Sequence, residues 1–301
     1  MKKLIQALFV SLLVCASSNV YGQNTNISDS FDSTQTYKIE LNDGSAFFGN
    51  ILLKDSINMV MRTSSIPKLE IPILKIKRID EIDESNLKNG SYWFPNPNAT
   101  RYLFSPSAFN LKKGEAYYQN TYLSINSFNV GITDNISIGG GLEFISTFGS
   151  LAAGSFEPIF FITPKIGVEV TESFHAGGGL LYASLPLFGS FRRRGFGIGY
   201  GVGTYGSTDH NITGGLGWGF FEEEFSERPI ITFSGMTRIA KKTALVTENW
   251  FVPIDSYYGV FSYGIRFFSE TMAVDLAFIN NADLAEVLIV GMPYISFVVK
   301  L

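Results

Sequence analysis

One unit recurs along this chain: a strand end, a tight polar turn, and a strand that carries clustered glycines. Its first copy runs from Gly131 to Phe144 and turns at Thr133, Asp134 and Asn135. Beyond the turn, Ile136, Ile138, Leu142 and Phe144 share one face, and Ser137, Gly139, Gly141 and Glu143 share the other. The unit returns at Gly167 to Leu180 and at Gly203 to Leu216, with glycine clusters beginning at Gly139, Gly177 and Gly214. Successive side chains of a strand point to opposite sides, so alternation splits each strand into two faces. A repeated hairpin with one apolar face, short turns at one end and longer loops at the other is the pattern of a transmembrane antiparallel up-and-down β-barrel.

Composition agrees. Charged residues make up 17% of the chain, below the usual quarter, while hydrophobic residues reach 46% and aromatics 15%. Thirty glycines with many Phe and Tyr suit strands better than helices. Beyond Gly22 no apolar run is long enough for a helical span. The N-terminus reads as a signal peptide over residues 1–22, with Lys2 and Lys3, an apolar stretch from Leu4 to Ala16, and cleavage after Gly22. Cys15, the single cysteine, lies inside it, and Val14 stands where a lipoprotein signal needs a small residue, so no lipidation is expected. The mature chain then has no thiol, which excludes disulfides and fits an oxidising compartment. The formal net charge of −4, more negative once Lys2 and Lys3 are removed, excludes nucleic acid as an expected partner.

Taken in order, residues 23–36 are polar and read as a flexible leader. Residues 37–82 read as a small SH3/Sm-like β-module of four or five short strands, with a hairpin signal at Asp43-Gly44. Residues 83–99 read as a linker ending in Pro95 and Pro97. Its aromatic trio Tyr92, Trp93 and Phe94 suits either an interfacial anchor or packing between domains. Residues 100–301 hold about twelve strand candidates, an even number as single-chain bacterial barrels require. The first is read at 101–110 and the second, long and bulged, at 115–133. Turns at 134–135, 172–173, 207–211, 240–242 and 269–271 are short and assigned to the periplasmic side. The loops at 147–157, 185–195, 222–228 and 280–286 are longer and assigned outside, with the short connections 253–256 and 111–114 as exceptions.

Alternation predicts the lipid face. Phe160, Ile162, Ile166 and Val168 oppose Thr163, Lys165, Gly167 and Glu169. Phe196, Ile198, Tyr200 and Val202 are read as outward, against Gly197, Gly199, Gly201 and Gly203 as inward. Ile212, Leu216, Trp218 and Phe220 are read as outward, against Thr213, Gly215, Gly217 and Gly219. A charge on the lipid face costs about 2–4 kcal/mol at mid-bilayer. The charges Glu143, Lys165, Glu169, Arg238, Arg266 and Asp275 are instead placed in the lumen, with Lys165 and Arg266 able to pair with Glu169 and Asp275. Glu248 is the exception, because it shares parity with Val246 and Trp250, so that its strand needs a bulge or is misassigned. Inward glycines either free a passage or make room for bulky side chains from across a narrow barrel, and the second is favoured.

No catalytic constellation, cofactor site or metal-ligand cluster is expected. His175 and His210 map to the periplasmic rim, opposite the rim where barrel-embedded lipid hydrolases place their catalytic groups. Two charge clusters remain in the outer loops: Arg192, Arg193 and Arg194 in one, Glu222, Glu223 and Glu224 in the next. They read as neutralising one another or solvated, or as binding a ligand or lipopolysaccharide phosphate through Arg.

The run from Arg101 to Tyr122, followed by Asn129-Val-Gly-Ile-Thr-Asp-Asn135, resembles outer-membrane barrel proteins of the Bacteroidota over roughly residues 90–301. That resemblance implies a fold and a place in the outer membrane of a Gram-negative bacterium, with membrane lipid as the surrounding partner. It implies no activity. Three functions stay open: a passive channel or small-solute transporter, a non-conducting structural or interaction barrel that binds a partner through its loops or periplasmic module, and a soluble secreted β-protein.

Overall fold

A computed structural model describes residues 31–88, 91–186, 193–222 and 224–301. The expected signal peptide, Arg192 and Glu223 lie outside the described residues. The chain divides into two units, 1–93 and 94–301.

The first unit is a five-stranded antiparallel sheet: β1 (Thr36–Leu41), β2 (Ala46–Lys54), β3 (Asn58–Arg62), β4 (Leu69–Pro72) and β5 (Ile76–Glu81). Its order is β4-β3-β2-β1-β5, and one 3-10 turn (Ile73–Lys75) carries the chain from one edge strand to the other. Alternation buries Tyr37, Ile39 and Leu41 against Ile51, Met59, Met61, Ile71 and Ile76. The Asp43-Gly44 hairpin needs glycine, since Gly44 has φ +85°, and the Asp43 carboxylate accepts from Ser45 N–H. Phe31, at the end of the expected leader, packs edge-on against Tyr37. Of the aromatic trio, Tyr92 stacks on Phe48 at 4.9 Å and Trp93 lies under the Lys88 ammonium at 4.5 Å, both within this unit. Phe94 packs against Arg238 in the second unit.

The second unit is a closed barrel of twelve antiparallel strands. They are β6 (Ala116–Thr121), β7 (Ile125–Gly131), β8 (Ile136–Glu143), β9 (Ile159–Thr171), β10 (Phe174–Pro186) and β11 (Arg193–Gly206). The circuit continues through β12 (His210–Phe221), β13 (Ile230–Ala240), β14 (Thr243–Pro253), β15 (Tyr257–Phe268), β16 (Met272–Asn280) and β17 (Met292–Lys300). Each strand pairs with its sequence neighbour, and β17 closes on β6 from Ser296↔Thr121 to Lys300↔Tyr117. Closure leaves no strand edge unpaired, which is what lets a sheet stand in hydrocarbon. No described helix is long and apolar enough to cross a membrane, so any crossing falls to the strands. Two short helices, α1 (Phe144–Ala152) and α2 (Ala282–Val287), sit in the longer connections.

The strand number agrees with expectation because two misreadings cancel. Residues 101–110 are not a wall strand, and among the described residues their ladder contact is an isolated bridge between Arg101 and Pro106. Residues 115–133 are not one bulged strand but β6 and β7, joined by a tight turn in which Tyr122 and Leu123 take left-handed φ values of 54° and 61°. Neither residue is a turn former, so the break carries no glycine or proline signal.

Face assignment holds for β8, β9 and β12 and fails for β11, and on β14 it is the misassignment rather than the bulge that occurs. On β11 the glycines face outward, while Ile198, Tyr200 and Val202 face the lumen with Thr204. A Cβ added at Gly199 would meet nothing within 4 Å. Neighbouring outward aromatics cover three of the other glycines: Phe174 lies against Gly203, Phe220 against Gly197 and Tyr182 against Gly195. On β14 no bulge occurs at Glu248. Ala244, Val246 and Glu248 all point inward and are buried, and Leu245 points out. Apolarity misleads on both strands because this lumen is filled by protein rather than water.

Candidate functional site

Residues 94–111 fold into the barrel from the short-turn end, reverse at Leu103–Ser105 and return to begin β6. A backbone segment taken out of water must find a partner for every N–H and C=O. Side chains of the wall supply those partners at three depths.

At the mouth, Arg238 of β13 donates to the Phe94 carbonyl at 2.9 Å, to Asp209 Oδ1 at 2.9 Å and to the Lys241 carbonyl at 2.6 Å. Its guanidinium also packs between the Phe94 and Phe268 rings. Asn96 donates to the Thr208 carbonyl in the adjacent turn. Lys165 of β9 donates to the carbonyls of Thr100 and Phe109, and so ties the entering and returning limbs together. Ala108 N–H donates to Thr204 Oγ1 at 2.7 Å. Gly167 is the point of close approach, since a Cβ there would run into the Ala108 carbonyl.

Deeper in, Arg266 of β15 is fully buried, with 0% exposure. Its Nε and Nη2 donate to Asp275 Oδ1 and Oδ2 at 2.6 and 3.1 Å. Its remaining donors go to plug carbonyls: Asn98 at 2.7 Å, Arg101 at 3.2 Å and Tyr102 at 2.8 Å. Planar guanidinium suits this, because one fork grips a carboxylate while the outer hydrogens reach a folded backbone. Ser296 Oγ supports Asp275 from β17.

At the apex, Glu248 of β14 accepts three consecutive backbone N–H groups on one oxygen, from Leu103, Phe104 and Ser105 at 2.9, 2.9 and 2.8 Å. Its other oxygen accepts from Trp250 Nε1 at 2.7 Å. A run of N–H groups converging on an anion is a backbone nest. Here the anion belongs to the barrel wall and the nest to the plug. Tyr102 Oη contacts Asn211 and Thr213 at 2.6 Å, Tyr294 Oη donates to the Leu103 carbonyl, and Ser105 Oγ meets Ser234 Oγ.

Of the residues expected in the lumen, Lys165, Arg238 and Arg266 bind this one segment directly, and Asp275 holds Arg266. Arg266 pairs with Asp275, whereas Lys165 does not pair with Glu169, whose carboxylate lies 3.9 Å from His175 Nε2 at the mouth. Glu143, at the end of β8, caps α1 by accepting from Ile145 and Ser146 N–H. In the outer loops, Glu222 N–H donates to the Gly195 carbonyl, which brings the two charge-bearing connections together at the backbone. Arg193 pairs through its backbone with Pro186, Arg194 with Leu185 and Glu224 with Phe221. Glu248 stands in the sequence reading as an exception and not among the residues expected in the lumen. Its signal was the parity anomaly itself, a lone carboxylate on a face wrongly assigned to lipid.

No protein-family model matches the sequence, and no curated protein matches it. Among solved structures the chain is similar to the KdgM porin in complex with disordered oligogalacturonate, at 7% identity and a TM-score of 0.40 over 62% of this chain and 95% of that one. It is also similar to the NanC porin in a rhombohedral crystal form, at 8% identity and TM-score 0.37, over 62% and 97% of the two chains. A third is OmpTdeltaL8, a loop L8 deletion mutant of OmpT, an outer membrane protein of Vibrio cholerae, at 11% identity and TM-score 0.30, over 89% and 96%. All are outer-membrane barrels. The barrel described above is defined by the chain's own strand pairing.

Proposed function

We propose that this outer-membrane barrel is non-conducting at rest and serves as a structural or interaction protein, closed by its own segment 94–111. The observation that carries this reading is the anchorage of the plug by Glu248, Arg266, Arg238 and Lys165 at three depths of the lumen. An outward face carrying Ile138, Ile162, Ile166, Leu216, Phe261, Ile265, Leu276 and Ile295 supports residence in the lipid of the outer membrane. The plug enters beside Thr208 and Lys241, at the short-turn end, which in such barrels is periplasmic. The chain before Phe94 is therefore assigned to the periplasm, where the five-stranded unit, read as a small SH3/Sm-like module, is free to meet a partner. The outer-loop charges of Arg192–194 and Glu222–224 are assigned to mutual neutralisation across adjacent connections. No enzymatic step enters this reading.

Single-channel recording of the mature protein in planar bilayers, after heat-modifiable migration has confirmed folding, tests it. The wild type is expected to stay silent. Discrete conductance steps from the folded wild type would overturn the closed reading in favour of a passive channel.

A further inference from the structure

A cavity of about 140 Å³ lies between the plug and the wall formed by β6 to β14. An engineered apolar cavity of about 150 Å³ holds a benzene molecule, so this one has room for a single small ring or its aliphatic equivalent. Much of its wall is apolar or aromatic, with Leu181, Ile198, Tyr200, Tyr117 and Trp250. Polar atoms come from Asn129, Ser137, Thr163 and Thr232. Two cations, Arg101 and Lys165, line it, and no carboxylate does. Elsewhere in the lumen the buried cations are balanced, Arg238 by Asp209 and Arg266 by Asp275. Lys165 and Arg101 instead place their donors on uncharged oxygens: the Thr100 and Phe109 carbonyls for one, Gln119 Oε1 and the Leu103 carbonyl for the other. Arg101 Nε is buried without a partner. Two half-buried positive charges with no counter-charge are costly to hold, and an anion between them would repay that cost.

We infer that this cavity is a binding site for a small hydrophobic carboxylate, its acid group between Arg101 and Lys165 and its apolar body against Leu181, Ile198 and the aromatic wall. A saturating ligand would also brace the plug, because both cations hold plug carbonyls. The inference stands on the cavity and not on the closed reading. A barrel that conducts yet binds such a carboxylate would overturn the closed reading and leave this one intact.

Equilibrium dialysis of labelled benzoate against the folded full-length mature protein in detergent is the test, with benzamide as the neutral isostere. Saturable benzoate binding is expected, with benzamide at least about tenfold weaker. Lys165→Met should weaken benzoate by a similar factor, and Ile198→Trp, which fills the cavity without touching a plug anchor, should abolish binding. Non-saturable uptake, equal affinity for benzamide, or undiminished binding by a folded Ile198→Trp would overturn the site. The benzoate and benzamide comparison needs no variant, so misfolding of either substitution leaves the test standing.

Discussion

Two carboxylates sit buried in the same lumen and are neutralised in opposite ways. Asp275 has a cation, Arg266, and the pair then offers leftover donors to the plug. Glu248 accepts from no cation in its hydrogen bonds: three plug amides and one indole satisfy it. The first arrangement is part of the wall and would persist without the plug. The second exists only when the plug is in place. The Arg266–Asp275 pair therefore reads as stability of the barrel, and the Glu248 nest as the latch of the plug.

The most severe way to break this contrast is Arg266→Met. It strands Asp275 without its cation and removes the donors to three plug carbonyls. A loss of about 3–5 kcal/mol is expected, measured as the urea midpoint of heat-modifiable migration. Replacing both partners, Arg266→Met with Asp275→Leu, should recover a large part of that loss, since no buried charge is left uncompensated. If the double variant were no more stable than the single one, the pair would not be acting as a unit.

Glu248→Ala should cost less, about 1–3 kcal/mol, because it unpairs backbone amides and an indole rather than a full charge. Its signature is functional: intermittent conductance in planar bilayers, and labelling of a Phe104→Cys probe that stays protected when Glu248 is present. A Glu248→Ala barrel as silent and as protected as the parent would remove the latch assignment.

The glycine faces give a smaller and cleaner test. Gly199→Ala points into open space and should change stability by less than about 0.5 kcal/mol. Gly217→Ala places its methyl 2.8 Å from the Ile198 side chain inside the lumen, and overpacking of that kind costs about 1–3 kcal/mol. Reversal of that order would mean that β11 or β12 faces the other way.

The smallest effect belongs to the first unit. The hydrogen bond from Lys77, at 2.7 Å, holds the Glu40 carboxyl below its ordinary value of 4.5. A depressed folded-state value contributes stability above that ordinary value and loses it as pH falls through the lowered one. Lys77 is exposed and Glu40 half-buried, so solvent screening keeps the contribution under about 1 kcal/mol. Melting of the first unit in the full chain should shift down on acidification below pH 4.5, and Glu40→Gln should flatten that dependence.

Most of the wall was legible because period-2 alternation is a local property. It failed where locality ends. Tyr200 and Val202 are as apolar as any lipid-facing pair, and only Gly177, Gly179, Gly215 and Gly217, on neighbouring strands, reveal that the room for them is inside. The segment 101–110 has the look of a strand, with Tyr102, Phe104 and Phe109, yet it pairs with no wall strand. Its apolar residues serve to fill a lumen, a role that leaves no periodic mark.

The sequence by itself determined that the chain would close into a barrel with an apolar outer face, because strand alternation and the segregation of charge act residue by residue. Only the tertiary structure decided what fills the barrel. Arg266 and Asp275 stand nine residues apart on neighbouring strands, but the three amides that meet Glu248 lie more than a hundred residues from it, and no pattern along the chain records that meeting.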